Sequence, residues 1–479
     1  MAKRNNCGKR RQEKRQRRAK RKAKKASKGR KKESLRVDLA PSVEFIHEHL
    51  TEALCQEVFQ AERTTERERK WSLFALARFW VTVVLTAPPS LAQLLDQTRR
   101  GERTGLLPYV DAAAASFYQK CKNFSHSFFQ SLFERFVSEI GPKARKVFCA
   151  GLRDLEKKFS AVQIIDGSRL DRIAKRLKIL WNERAVILPG CITVVYDIFR
   201  GYCQKVCFFA DAARAEIERA EEAIRSLEPG TLLVGDRLYC TIKTFNALEE
   251  RGCFGLFRYN KTLGIKKLKV LSSEKAGHAQ LQDHIVEAGS GSRKVLLRMI
   301  TVGNNGKRYK ALTNVLDPKR LTAQEIASLY PVRWQVERVF SDLKDVLNLN
   351  KLYASNPNAV AMQVYATALV HTAFRVAQGE IAQKVSLPPE ELSPKKLYPR
   401  LALASIVVIE AELVFEKTCE ANPGRKLKKL DWRCLPETQT TLQAIKIQHR
   451  TAKRRKRRYC KSRRHWKSFP HVAGGTLLS

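Results

Sequence analysis

Apolar and polar positions along this chain fall into distinct textures. Across 43–60, 69–85 and 111–140, apolar residues recur at intervals of three and four, the period of helices with one buried face. Proline and glycine break that period at Pro88-Pro89, across 101–108 and at Gly141-Pro142. Further along, the apolar runs become short and continuous. The segments 161–165 (AVQII), 191–199 (CITVVYDIF), 203–210 (CQKVCFFA), 231–235 (TLLVG) and 253–259 (CFGLFRY) read as strands. The second and third form a hairpin over Arg200-Gly201-Tyr202, and helical stretches occupy 211–227 and 241–251. Strands alternating with helices in this order predict an α/β fold, with a mixed sheet covered on both faces.

The helical period vanishes between Tyr259 and Thr322. There 284–288, 295–302 and 309–315 read as strands, with turns at 289–291 and 303–306. Helices return at 358–384 and 401–419, joined through the proline-containing 387–399. The most apolar long stretch, 359–377, holds Gln363, His371 and Arg375, which predicts a buried helix rather than a membrane span. Periodicity is lost from about 422 onward.

Charge adds a partner to this picture. Lys and Arg number 91 against 47 Asp and Glu, a net +44 over 479 residues. Residues 1–32 carry +17 and residues 450–467 carry +11, which leaves +16 for the rest. Both tails are low in complexity and read as disordered without a partner, but the body is basic as well. A polyanion is the natural partner, and nucleic acid is the commonest one. The twelve cysteines are scattered, with no C-x2-C pair. Cys203–Cys207 and Cys460 with His465 come nearest to ligand spacing, and neither completes a tetrahedral set. They read as reduced thiols of a cytoplasmic protein, and the N-terminus lacks the apolar core of a secretory signal.

Candidate chemistry concentrates in 330–344, YPVRWQVERVFSDLK. Pro331 pre-sets a helical first turn. At 100° per residue, Arg333, Glu337 and Lys344 all fall within about 60° of Tyr330. Val332, Val336, Val339, Phe340 and Leu343 fill the neighbouring arc, so the carboxylate lies at the edge of a buried face. Standing alone, such a stripe reads as a solvated row of ion pairs. Two further carboxylates change its meaning. Asp166 and Asp236 each directly follow a predicted strand, where active sites of open α/β sheets gather. Asp197 lies inside a predicted strand, and Asp154, Asp171 and Asp211 lie in or near predicted helices, so these four read as structural.

The spacing Y-x2-R-x3-E-x6-K resembles the signature around the third catalytic carboxylate of DDE transposases of the insertion sequence 4 family. The resemblance implies a ribonuclease-H-like core at 160–350, interrupted by a β-rich insertion at about 260–322. A helical, DNA-binding region at 41–159 and a helical region at 351–430 would flank it, with basic tails at 1–40 and 431–479. It also implies Asp166, Asp236 and Glu337 as the catalytic set, holding two Mg²⁺ or Mn²⁺ ions. Three carboxylates supply the hard oxygen donors that such ions take. Tyr330, Arg333 and Lys344 would contact DNA phosphates, with Arg237 and Tyr239 beside Asp236 as further candidates. Trp334 is either a DNA contact or is buried under the insertion. Some relatives stack a flipped base on a tryptophan of the insertion; none occurs here between Asp236 and Arg333, leaving Phe257 or Tyr259. The implied partner is double-stranded DNA, both transposon terminal inverted repeats and target, bound by a homodimer at the nucleoid. The rival readings are a two-metal nuclease without strand transfer and a basic DNA-binding regulator.

Overall fold

A computed structural model describes residues 44–420 except 64, 103–105, 171–189, 212–215, 277–278, 290–293 and 305–306. Both basic tails, Asp171, Cys460 and His465 lie outside the described residues.

Nine strands form one sheet in the order β3-β2-β1-β4-β5-β9-β8-β7-β6. They are β1 (Val162–Arg169), β2 (Cys191–Asp197), β3 (Cys203–Phe209), β4 (Leu232–Gly235), β5 (Phe254–Arg258), β6 (Ile265–Ala276), β7 (Ala279–Ala288), β8 (Val295–Asn304) and β9 (Lys307–Thr313). β1 runs antiparallel to β2 and parallel to β4, while β4 and β5 are parallel. The five strands from β3 to β5 thus make the mixed sheet of a ribonuclease-H-like core, as their order in the sequence predicts. The β-rich segment is no separate unit. β9 pairs with β5, and β8, β7 and β6 continue the same sheet outward.

Strand alternation sends the two faces to different cores. Val162, Ile164, Leu232 and Val234 point into a large core that runs from Ile46 to Val408. Ile165, Leu233 and Phe257 point into a smaller one, with residues of α7 (Glu216–Arg225) and α8 (Ile242–Glu250). On the larger face lie the N-terminal helices α1 (Glu44–His49), α2 (Glu52–Glu62), α3 (Leu73–Thr86), α4 (Leu91–Arg100), α5 (Ala114–Asn123) and α6 (Ser127–Ile140). Helices α9 (Ala323–Leu329), α10 (Gln335–Ser341), α11 (Pro357–Lys384) and α12 (Pro394–Glu420) complete that layer. The helical regions before and after the sheet therefore share one core with it.

Local chemistry sets the helix starts. Hydroxyls of Thr51, Ser72 and Thr241 each accept the backbone N–H three residues on, at 3.1–3.2 Å. Thr322 and Glu325 form a reciprocal capping box at the head of α9. The single helix expected over 111–140 is in fact two. Phe124 turns extended between them, and its ring stacks on Phe128 at 4.4 Å. The last helix begins at Pro394 and runs through Pro399, earlier than its apolar period suggests. Strand β6 escaped the pattern altogether. Its residues 266–270 (KKLKV) are exposed on both faces of a sheet edge, so no alternation is imposed on them.

α11 is buried along most of its length but carries Gln363, Thr367, His371, Arg375 and Gln378 inside. Among the described residues no helix is long and apolar enough to cross a membrane. Both ring nitrogens of His371 are buried and unbonded. Burial, helped by Arg375, lowers its pKa from 6.5 to about 3. The unfolded chain then binds the extra proton between those values, so the neutral ring contributes stability above pH 6.5 that fades as pH falls. At pH 4.5 the loss should be about 3 kcal/mol. Urea unfolding at pH 7 and 4.5 should show a shallower acid loss for His371→Leu than for the parent; equal losses would contradict this.

Candidate active site

Register brings the first two carboxylates together. β1 and β4 pair Val162 with Leu232, Gln163 with Leu233 and Ile164 with Val234. Two further steps set Asp166 alongside Asp236, about one inter-strand spacing apart and on the same face as Ile164 and Val234. Asp166 is not at the strand end, as its apolar run suggests, but within β1, because β1 continues to Arg169 against β2. Its Oδ1 accepts the Gly167 N–H at 2.9 Å. Asp236 does follow β4 directly, and caps the short turn Arg237–Tyr239 by accepting the Arg237 N–H at 2.6 Å. Gly235 before it is tightly enclosed: a Cβ there would meet the rings of Phe257 and Tyr239 at 3.0 Å.

The third carboxylate arrives on the layer over that face. The stretch from Tyr330 is helical but not uniform: a 3-10 turn (Tyr330–Trp334), then α10, then a π turn (Asp342–Val346). The 100° step therefore holds only within α10, and the predicted single stripe is corrected accordingly. Val332, Val336, Val339, Phe340 and Leu343 are all buried against the sheet, as their arc predicts. Glu337 stands at the edge, its side chain 45% exposed.

Arg333 joins the set. Its Nη1 lies 3.5 Å from Asp166 Oδ2 and its Nη2 lies 3.9 Å from Glu337 Oε1, with the arginine side chain only 10% exposed. One guanidinium thus spans the carboxylates of β1 and α10. Lys344 reaches the same strand two residues beyond Asp166, donating to Ser168 Oγ at 2.7 Å and to the Arg169 carbonyl.

Tyr330 differs from its expected place. It is 8% exposed, and its ring stacks on Tyr309 of β9 at 5.3 Å. Burial pushes its pKa up to about 12, against the pull of Arg333, so it stays a phenol and a donor at neutral pH. The hydroxyls of Tyr330 and Tyr309 and the Arg333 Nε are buried with no hydrogen-bond partner among the described residues. Such atoms normally find one. Tyr309 was not singled out by its sequence, where it opens an ordinary strand.

The remaining candidates divide. Trp334 is 59% exposed under the Arg333 guanidinium, 5.3 Å from its ring centroid, and is not buried beneath the insertion. Arg237 is exposed. Tyr239 is 1% exposed and tilts against Phe257 at 6.5 Å, so it packs in the smaller core rather than facing a polyanion. Phe257 is fully buried, and the Tyr259 hydroxyl is bonded to the Leu263 carbonyl. Asp197 closes the hairpin by accepting the Phe199 and Arg200 N–H groups at 2.8 Å, and Asp154 pairs with Lys157 on the surface. The buried Asp197 is structural, as its position within a strand suggested.

Residues 193–373 match the family model described as the transposase DDE domain. That segment, somewhat over a third of the chain, is thus similar to a transposase DDE domain. A protein of Sinorhizobium fredii named a putative transposase is 31% identical over 159 residues, 32% of this chain and 44% of that protein. The Escherichia coli transposase for insertion sequence element IS4 is 23% identical over 182 residues, covering 36% of this chain and 41% of its own length. The chain spans less than half the length of these relatives. The matched DDE domain includes Asp236 and Glu337 but begins beyond Asp166, which is tied to them here by register and by Arg333.

The donor set can be tested against the ion that the resemblance to DDE transposases implies. Asp166, Asp236 and Glu337 offer carboxylate oxygens alone, the ligands that hard divalent cations take. Among the described residues, no three His, Cys, Asp or Glu side chains are close enough to hold an ion together. Arg333, between two of the acids, occupies part of that space. The chemistry of the donors fits.

Proposed function

We propose that the protein is a transposase that binds the ends of an insertion sequence, cleaves its DNA strands and joins them to target DNA. The observation that carries this reading is the convergence on Arg333 of acids 171 positions apart in the chain, Asp166 and Glu337, with Asp236 in register beside the first. Asp166, Asp236 and Glu337 would hold two Mg²⁺ or Mn²⁺ ions. When bound, such ions lower the cost of deprotonating an attacking water or 3′-hydroxyl and of charge on the leaving oxygen. Arg333 and Lys344 place positive charge against the strand bearing Asp166, where phosphodiester oxygens would be oriented. The exposed Trp334 and Arg237 lie beside these groups and extend the DNA surface. Partners of this kind imply a protein acting in the cytoplasm at the nucleoid, with two copies pairing two ends. The net charge of +44 supports a polyanionic substrate.

The test is a joining assay with a DNA end carrying a free 3′-OH and a supercoiled target, in Mg²⁺. Covalent end–target product is expected. Cleavage without joining would support the nuclease instead, and binding with neither reaction would support a DNA-binding regulator. In the same system, deleting residues 1–32 should flatten the salt dependence of DNA binding and leave end preference unchanged, read by filter binding across salt concentrations. Altered end preference would make that tail a reader of sequence.

A further inference from the structure

We infer that Arg375 is a positioning residue for the helix bearing Glu337, acting through the hydroxyl of Tyr196 and the amide of Gln335. This rests on the catalytic reading of Glu337 given above.

Arg375 lies on α11, outside every motif identified in the sequence, and is 8% exposed. A guanidinium keeps its charge wherever it sits, so its burial demands bonds on all sides. It donates through Nε to the Gly201 carbonyl, through Nη1 to Gln378 Oε1 at 3.0 Å and through Nη2 to Tyr196 Oη at 3.0 Å. The Phe148 ring covers it at 4.3 Å. Gly201 holds the β2–β3 turn at φ +81°, where a Cβ would strike Phe148 at 2.4 Å, so its carbonyl is fixed in place.

Tyr196 passes the contact on. Its hydroxyl accepts from Arg375 and donates to Gln335 Oε1 at 3.3 Å, and Gln335 Nε2 donates to Cys149 Sγ at 3.1 Å. Every bond in that chain points the same way, from cation to phenol to amide to sulfur, so each polarises the next. Gln335 precedes Glu337 by two residues, about 200° around α10. The chain therefore grips the back of the helix whose front carries the carboxylate. The lever is short. A Glu carboxylate lies about 6 Å from its helix axis, so a rotation of about 10° would move it by about 1 Å. Misplacements of that size cost about 100-fold in rate.

Tyr196→Phe removes one hydroxyl from the full chain and leaves the ring. The expected result is a cleavage rate at saturating DNA at least about 10-fold lower, with DNA affinity unchanged. Amide exchange across residues 336–341 should also become faster. Tyr365→Phe is the control: it deletes another buried hydroxyl on α11, bonded to Gln130 and Phe208, away from α10. It should lower the unfolding midpoint without changing rate or exchange in α10. The double variant Tyr196→Phe/Gln335→Met should be no slower than the slower single variant, since both break one chain. Parental rate and exchange in Tyr196→Phe, equal losses in Tyr365→Phe, or additive losses in the double variant would each overturn the inference. If the parent itself cleaves no DNA, the catalytic reading falls, and the exchange measurement alone decides whether Tyr196 positions the helix.

Discussion

Glu337→Gln should lower DNA cleavage by about 1000-fold or more while leaving DNA affinity and the unfolding midpoint where they are. The substitution keeps the shape of the side chain and removes only its charge. In the proposed site, which would work by assembling anionic oxygens around cations, that charge would be the active ingredient. Folding depends on it little, because the side chain is half exposed and Arg333, 3.9 Å from it, retains Asp166 at 3.5 Å. A partly exposed pair of this kind contributes less than about 1 kcal/mol. The measurement is a nicking assay beside a gel-shift titration and a thermal melt. Full cleavage in the variant would remove Glu337 from the site. A large drop in the melt would make it a structural residue.

The second large effect is on stability. Asp283→Ala should destabilise the protein by about 3–5 kcal/mol, because it strands the fully buried Arg298. Arg298 gives Asp283 three hydrogen bonds of 2.6–2.9 Å, and its Nη1 also donates to the Leu321 carbonyl at 2.6 Å. Leu321 immediately precedes the capping box that starts α9, and α9 leads directly into Tyr330. The pair therefore anchors the entrance to the candidate catalytic segment on β7 and β8. Replacing both partners with apolar residues, as in Asp283→Leu/Arg298→Met, should recover most of the loss. Urea unfolding of the three variants measures this. A mild Asp283→Ala phenotype would mean that solvent reaches Arg298.

The contrast between these residues shows what one-dimensional patterns can hold. Asp236 and Glu337 were legible because each has a local signature, the end of a short apolar run in one case and a helical spacing in the other. The core strands were legible because burial on both faces makes them continuously apolar. Asp283 and Arg298 gave no signal: they are fifteen positions apart in separate strands, and only cross-strand pairing makes them partners. Arg375 looked like a reason to doubt a membrane helix, and its partners come from β2 and a hairpin turn far away in sequence. Tyr239 misled because proximity to Asp236 along the chain says nothing about which side of the sheet a ring enters. The change of pitch around α10 was invisible, since a constant angular step had to be assumed.

The unbroken pairing from β5 through β9 to β6 has a mechanical meaning. Tyr309, whose ring stacks on Tyr330, rides on a strand stitched to β5, and β5 is stitched to the strand that delivers Asp236. The outer strands cannot swing as a flap without tearing that seam. The spacing between Tyr309 and the strand that precedes Asp236 is thus set by backbone pairing rather than by side-chain contacts alone.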